Sequence, residues 1–141
     1  MELVRNIMFG MTGAVLIAVA GCATTTRPPG LTESAEKLDL SARALAAHAD
    51  TIGPPYQPDA HELAQRAHDF RSMVDTATVS SADVSEQFDL VSQTYHKMRQ
   101  DAEHANTQQA DSELEPVTAA YRDVQHDLGR PYGAEPGGYT R

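Results

Sequence analysis

The apolar residues of this chain recur at alternating steps of four and three positions over most of its length. This spacing places one apolar stripe along a helix, and it does not suit a strand, whose side chains alternate at every second residue. The stripe is unbroken in the first segment, at Leu31, Ala35, Leu38, Ala42, Leu45, Ala49 and Ile52. The sequence therefore predicts an amphipathic helix with a continuous seam, meaning the row of apolar positions that faces other helices.

Three further segments carry the same 4-3 spacing. Their seams are Ala60, Leu63, Ala67, Phe70, Val74 and Ala77; then Val84, Phe88, Val91, Tyr95, Met98, Ala102 and Ala105; then Leu114, Val117, Tyr121, Val124 and Leu128. Four helices joined by short turns pack as antiparallel neighbours. The sequence thus predicts an all-α, up-down-up-down four-helix bundle over residues 31–128.

Breaks in the pattern predict where each helix begins and ends. Gly53 and the prolines after it end the first helix, and Asp59, with Glu62 three residues on, is expected to cap the second. Either Ser80 or Ser81 is expected to cap the third helix. The polar stretch 106–111 is predicted as the next turn, Ser112 and Glu115 as the capping box of the fourth helix, and Pro116 as part of its first turn. Gly129 ends the bundle, and the Gly/Pro-rich residues 129–141 are predicted to form a disordered tail.

Seam composition differs between the two halves of the bundle. Alanine occupies alternate seam positions in the first two helices, which lets their backbones approach closely. The last two helices supply bulk through Phe88, Tyr95, Met98 and Tyr121, and the two tyrosine hydroxyls need hydrogen-bond partners if they are buried. Charged residues, including the i,i+4 pair Asp39–Arg43, are expected on solvated faces, with no carboxylate in the seams.

The first 21 residues resemble a signal peptide. Residues 7–20 carry no charge over 14 positions, a length of roughly 21 Å as a helix against a hydrocarbon core of about 30 Å, too short for a permanent span. The next residues, Val19-Ala20-Gly21-Cys22, resemble the lipobox of bacterial lipoproteins: an aliphatic residue, two small residues and the cysteine that is acylated.

The resemblance implies that Val19, Ala20 and Gly21 are read by the signal peptidase and that Cys22 becomes the lipid-bearing first residue. Residues 1–21 are then the cleaved signal peptide, and residues 22–30 the lipidated anchor and linker. Two or more acyl chains hold a protein stably on a membrane. In lipoproteins of two-membrane bacteria, an aspartate after the cysteine favours inner-membrane retention. Ala23 here implies the inner leaflet of the outer membrane, facing the periplasm.

Composition excludes several other functions. A net charge of −9 without a basic cluster disfavours nucleic acid as a partner. The six histidines all lie off the seams, and no two have the i,i+3 or i,i+4 spacing of a helical metal site. We expect no catalytic residues, no metal and no cofactor, hence no enzyme.

Two functional hypotheses remain open. The first is a non-enzymatic structural or interaction lipoprotein of the cell envelope, attached to the membrane by its lipid and contacting envelope proteins. The second is a bundle that binds a small ligand or a metal ion between its helices. Self-assembly through the regular seams is a third possibility, although the short turns favour a monomer.

Overall fold

The computed structural model describes residues 27–52, 54, 56–76, 78–105 and 108–130. This part of the chain forms four helices: α1 (Leu31–Ile52), α2 (Tyr56–Asp75), α3 (Ser81–Ala105) and α4 (Gln108–Asp127). Each helix packs against the next along the chain, and α4 packs back against α1. The predicted all-α four-helix bundle is therefore confirmed.

Two helix ends follow the sequence prediction closely. Ser80 caps α3, because its hydroxyl accepts a hydrogen bond from the backbone N–H of Asp83 at 3.2 Å and donates to that residue's carboxylate at 2.7 Å. Gly129 ends α4 with a φ of 66°. Its N–H bonds the carbonyl of His126, and the N–H of Arg130 bonds that of Gln125, which together make a Schellman cap.

Two helix starts were predicted wrongly. Helix α2 begins at Tyr56, so Asp59 is not its N-cap; Pro58 lies within the first turn, where a missing N–H costs no hydrogen bond. Helix α4 begins at Gln108, inside the stretch predicted as a turn, and Ser112 does not open it. Pro116 consequently lies in the interior of α4, on its exposed side.

The core follows the predicted seams. Every described seam side chain is buried except that of Leu128, which is partly buried against the core. The side chains of Ile52, Ala77 and Ala105 lie outside the described part of the structure, as does the predicted tail beyond Arg130. Along their alanine seams, α1 and α2 are the most closely packed pair of helices, whereas α3 and α4 are the most loosely packed of the four neighbouring pairs.

Aromatic rings fill the wider space between α3 and α4. Ring centroids lie 5.4 Å apart between Phe70 and Phe88, 5.2 Å between Phe88 and Tyr121, and 4.3 Å between Tyr121 and Tyr95. These are ordinary distances for aromatic pairs in a core. Both buried tyrosine hydroxyls have the hydrogen-bond partners that they need: Tyr95 donates to the hydroxyl of Thr118 and Tyr121 to that of Ser92, each at 2.9 Å.

Candidate functional site

The end of the bundle where the chain enters α1 is closed by contacts from segments outside the helices. We call it the entry end; it comprises the start of α1, the α2–α3 turn and the residues after α4. The Arg27 guanidinium donates to the backbone carbonyl of Thr76 at 3.0 Å, which fixes the residues before α1 against the α2–α3 turn. The Ser34 hydroxyl donates to Asp127, which joins the start of α1 to the end of α4.

Arg130 closes the other side of the entry end. Its guanidinium donates to the Asp89 carboxylate and to the hydroxyl and carbonyl of Ser85, and it lies 5.2 Å from the centroid of the Phe88 ring. The residue that follows the Gly129 cap is therefore held on α3. Both ends of the described chain are thus bound at the entry end.

The predicted lipidation motif lies outside the described residues. Val19, Ala20, Gly21 and Cys22 all precede Arg27, where the described structure begins. Within the described ranges, no helix combines the length and the apolar character needed to cross a membrane.

A charged cluster that the sequence did not predict lies between α1 and α2. We call it the Asp39 cluster; its members are Glu36, Asp39, Arg43, His68, Arg71 and Asp75. Asp39 is 0% exposed, which corrects the expectation that every carboxylate would lie on a solvated face. Arg71 donates to Asp39 Oδ2 at 3.2 Å, and its pKa is raised by that hydrogen bond and by nearby Glu36 and Asp75.

The hydrogen bonding inside the Asp39 cluster is incomplete. Arg43 Nε forms an ion pair with Asp39 Oδ1 at 2.9 Å, but Asp39 Oδ1 accepts no hydrogen bond from any described residue. The Arg43 guanidinium instead reaches His68, with Nη2 2.7 Å from the imidazole Nδ1. That same Nδ1 lies 3.6 Å from Asp39 Oδ2. One imidazole nitrogen thus stands between a cation and a buried carboxylate.

A second buried carboxylate joins α2 to α3. Asp59 is 7% exposed and accepts from Lys97 Nζ at 2.6 Å. Burial raises the pKa of Asp59, but hydrogen bonds from Lys97 and Asp101 outweigh this effect and leave the pKa below its usual value. The pKa of Asp101 is raised in turn, because its carboxyl shares a hydrogen bond with Asp59. Asp59 and Lys97 thus form an ion pair between α2 and α3, and the carboxyl group of Asp101 is hydrogen-bonded to Asp59.

Histidine–carboxylate pairs connect α1 to its neighbours at the opposite end of the bundle. His48 Nδ1 lies 2.7 Å from Glu113 of α4, and His61 Nε2 lies 2.9 Å from Asp50 of α1. Asp50 also accepts from Gln57, and these hydrogen bonds lower its pKa. The pairs are exposed, so each adds little to stability.

Two further buried polar atoms have no hydrogen-bond partner among the described residues. One is the hydroxyl of Tyr56, a residue 3% exposed that packs in the core at the start of α2. The other is Nε2 of His96, whose ring lies edge-on to Tyr121 at 6.0 Å. Sequence spacing placed His96 on a flank of α3, as observed, while Tyr56 was missed because the helix was expected to begin after it.

The described residues contain no group of three or more histidine, cysteine or acidic side chains arranged to hold a metal ion. His104, which stands three residues after Asp101, donates from Nδ1 to the backbone carbonyl of Gln100 at 2.6 Å. A comparison with protein-family models, with curated proteins and with solved structures found no match for this chain.

Proposed function

We propose that this protein is a lipoprotein, anchored by acyl groups on Cys22, whose bundle serves as a non-enzymatic structural or interaction module of the cell envelope. The observation that carries the proposal is the motif Val19-Ala20-Gly21-Cys22 directly after an uncharged segment of signal-peptide length. Its match to the bacterial lipobox covers every position. Ala23 after the cysteine supports outer-membrane sorting, with the bundle facing the periplasm.

Contacts at the entry end support a short tether. Arg27 is bound to Thr76, so the contacts that hold the chain to the bundle begin at Arg27, four residues before the start of α1. The five residue steps from Cys22 to Arg27 reach at most about 18 Å when fully extended. The entry end would therefore stay close to the bilayer surface. Helix α3 has 25 residues, so its far end would lie roughly 37 Å from the entry end.

The interior supports a scaffold more than a ligand pocket. Tyr95 and Tyr121, the polar groups on the predicted seams, use their hydroxyls on Thr118 and Ser92 within the bundle. The buried carboxylates of Asp39 and Asp59 are engaged by arginine and lysine side chains of neighbouring helices. Recognition of an envelope protein would then fall to the outer helix faces and to the end remote from the membrane.

Mass spectrometry of the protein extracted from membranes tests the proposal. We expect a mature N-terminus at Cys22 carrying acyl groups, and a Cys22→Ser variant that is neither cleaved nor acylated. An unmodified Cys22 in membrane-extracted protein would refute the anchor.

Density-gradient separation of the two membranes tests the sorting: the wild type should follow the outer membrane, and Ala23→Asp should move to the inner membrane. An identical distribution of the two would contradict outer-membrane sorting.

In-cell crosslinking tests the interaction role. A photoreactive residue at exposed Gln109, near the end remote from the tether, should crosslink to one reproducible envelope protein. The same residue at exposed Ala82, near the entry end, is the matched control. Crosslinks that are absent at both positions, or identical between them, would contradict recognition by the remote end.

A further inference from the structure

The geometry of the Asp39 cluster points to a second property of the α1–α2 interface. We propose that His68 is a proton-operated switch: unprotonated at Nδ1 it accepts a hydrogen bond from Arg43, and protonated there it pairs with Asp39 and releases Arg43. The proposal does not depend on lipidation or on a partner.

Hydrogen-bond chemistry assigns the starting state. An arginine guanidinium carries only donors, so the 2.7 Å contact from Arg43 Nη2 to His68 Nδ1 requires a lone pair on that nitrogen. The imidazole proton must then be on Nε2. In this state His68 Nδ1 has no hydrogen to offer Asp39 Oδ2, although the two atoms are only 3.6 Å apart.

A proton arriving at Nδ1 reverses both contacts. The imidazolium would carry a donor on each nitrogen, so its contact with the Arg43 guanidinium becomes repulsive and its contact with Asp39 becomes attractive. Arg43 Nε already lies 2.9 Å from Asp39 Oδ1, the oxygen that accepts no hydrogen bond. The released guanidinium can therefore turn to this oxygen.

The other charged groups near His68 have contacts of their own and do not take part in this change of partners. His68 contacts Arg43 and Asp39 of α1. Glu36, Arg71 and Asp75 belong to the same cluster, and Asp69 follows His68 in the chain. Arg71 stays on Asp39 Oδ2 and is further held by Glu36 and Asp75, at 3.5 and 3.7 Å, while Asp69 accepts from Gln65. Histidine is the side chain that ordinarily changes charge between pH 5 and 8, and this is therefore the interval to scan.

Nitrogen-detected NMR of the full chain in detergent micelles tests the switch between pH 8 and pH 5. At pH 8 the His68 proton should be on Nε2. As the pH falls, the Arg43 side-chain signals should shift with the same midpoint as the His68 ring. His68→Gln should abolish the Arg43 shift, whereas His61→Gln, which alters a histidine–carboxylate pair without an arginine, should leave it unchanged.

Two variants set the sign of the response. Arg43→Gln removes a positive neighbour and should move the His68 midpoint to higher pH, and Asp39→Asn removes a negative neighbour and should move it to lower pH. A proton on Nδ1 at pH 8, or Arg43 signals that do not follow His68, would overturn the proposal. If Asp39→Asn does not fold, the wild-type spectra and Arg43→Gln still decide between these outcomes.

Discussion

Replacing Tyr56 by phenylalanine should make the bundle more stable, although the side chain is buried. Tyr56 is 3% exposed, and its hydroxyl has no hydrogen-bond partner in the part of the chain that the structure describes. A buried hydroxyl without a partner costs about 1–3 kcal/mol relative to its hydrated state. Phenylalanine keeps the ring in the core and removes only this group. We expect the free energy of unfolding to rise by about 1 kcal/mol, a gain of roughly 4–8 °C in Tm for a domain of this size.

The same hydroxyl makes the difference depend on pH. Burial, with smaller effects from Asp111 and Glu113, raises the pKa of Tyr56 to about 12 from the usual 10.0. Because the unfolded chain loses this proton near pH 10 and the folded chain only near pH 12, the stabilising effect is complete below pH 10 and is lost as the pH rises through 12. Two pH units correspond to roughly 3 kcal/mol. The wild type should lose stability over this interval, and the advantage of Tyr56→Phe should widen.

Urea unfolding followed by circular dichroism measures both effects, on the chain without residues 1–22. Tyr95→Phe is the matched control, because Tyr95 is equally buried but its hydroxyl donates to Thr118. This variant should lose about 1 kcal/mol, since a hydrogen bond is removed. If Tyr56→Phe is destabilised as much as Tyr95→Phe, the Tyr56 hydroxyl has a partner and the reasoning is refuted.

Two other changes test single features of the fold. Gly129→Ala should lower the free energy of unfolding by about 1 kcal/mol, because the φ of 66° is unfavourable for alanine while no described atom lies within 4 Å of the added Cβ. An unchanged urea midpoint would contradict this. Asp59→Asn should destabilise the bundle at pH 7. The lowered pKa of Asp59 means that its stabilising effect is present above pH 3.8 and is lost as the pH falls through the folded-state value. The difference between Asp59→Asn and wild type should therefore shrink in acid, and a constant difference would contradict the assigned ion pair.

The interiors of the helices were predictable from the sequence, whereas their first turns were not. A 4-3 seam summed over 20 residues outweighs any local preference, so the seam residues of α1 from Leu31 to Ala49 are buried as predicted. Helix starts depend on a few weak signals that compete. Pro58 suggested a start after it, but proline is also well tolerated in a first turn, and the buried Tyr56 extends α2 back past it.

The motif at Cys22 is of a different kind, because its prediction depends on recognition by processing enzymes and not on packing. No contact among the described residues bears on it. The structure does limit the distance between the bundle and a membrane. Because Arg27 is hydrogen-bonded to Thr76, only the residues between Cys22 and Arg27 could separate the bundle from the proposed anchor.

The burial of Asp39 follows from the alanine seams of α1 and α2 in a way that the seam pattern alone does not reveal. A heptad pattern marks positions beside the seam as partly solvated, and Asp39 is one of these, directly after Leu38. Alanine at Ala35 and Ala42 brings α1 and α2 so close that their flanking positions are also covered. Ala46 stands seven residues after Asp39 on the same flank and is 6% exposed. Asp39 is therefore buried because the alanines beside it are small, and its negative charge is balanced by the guanidinium groups of Arg43 and Arg71.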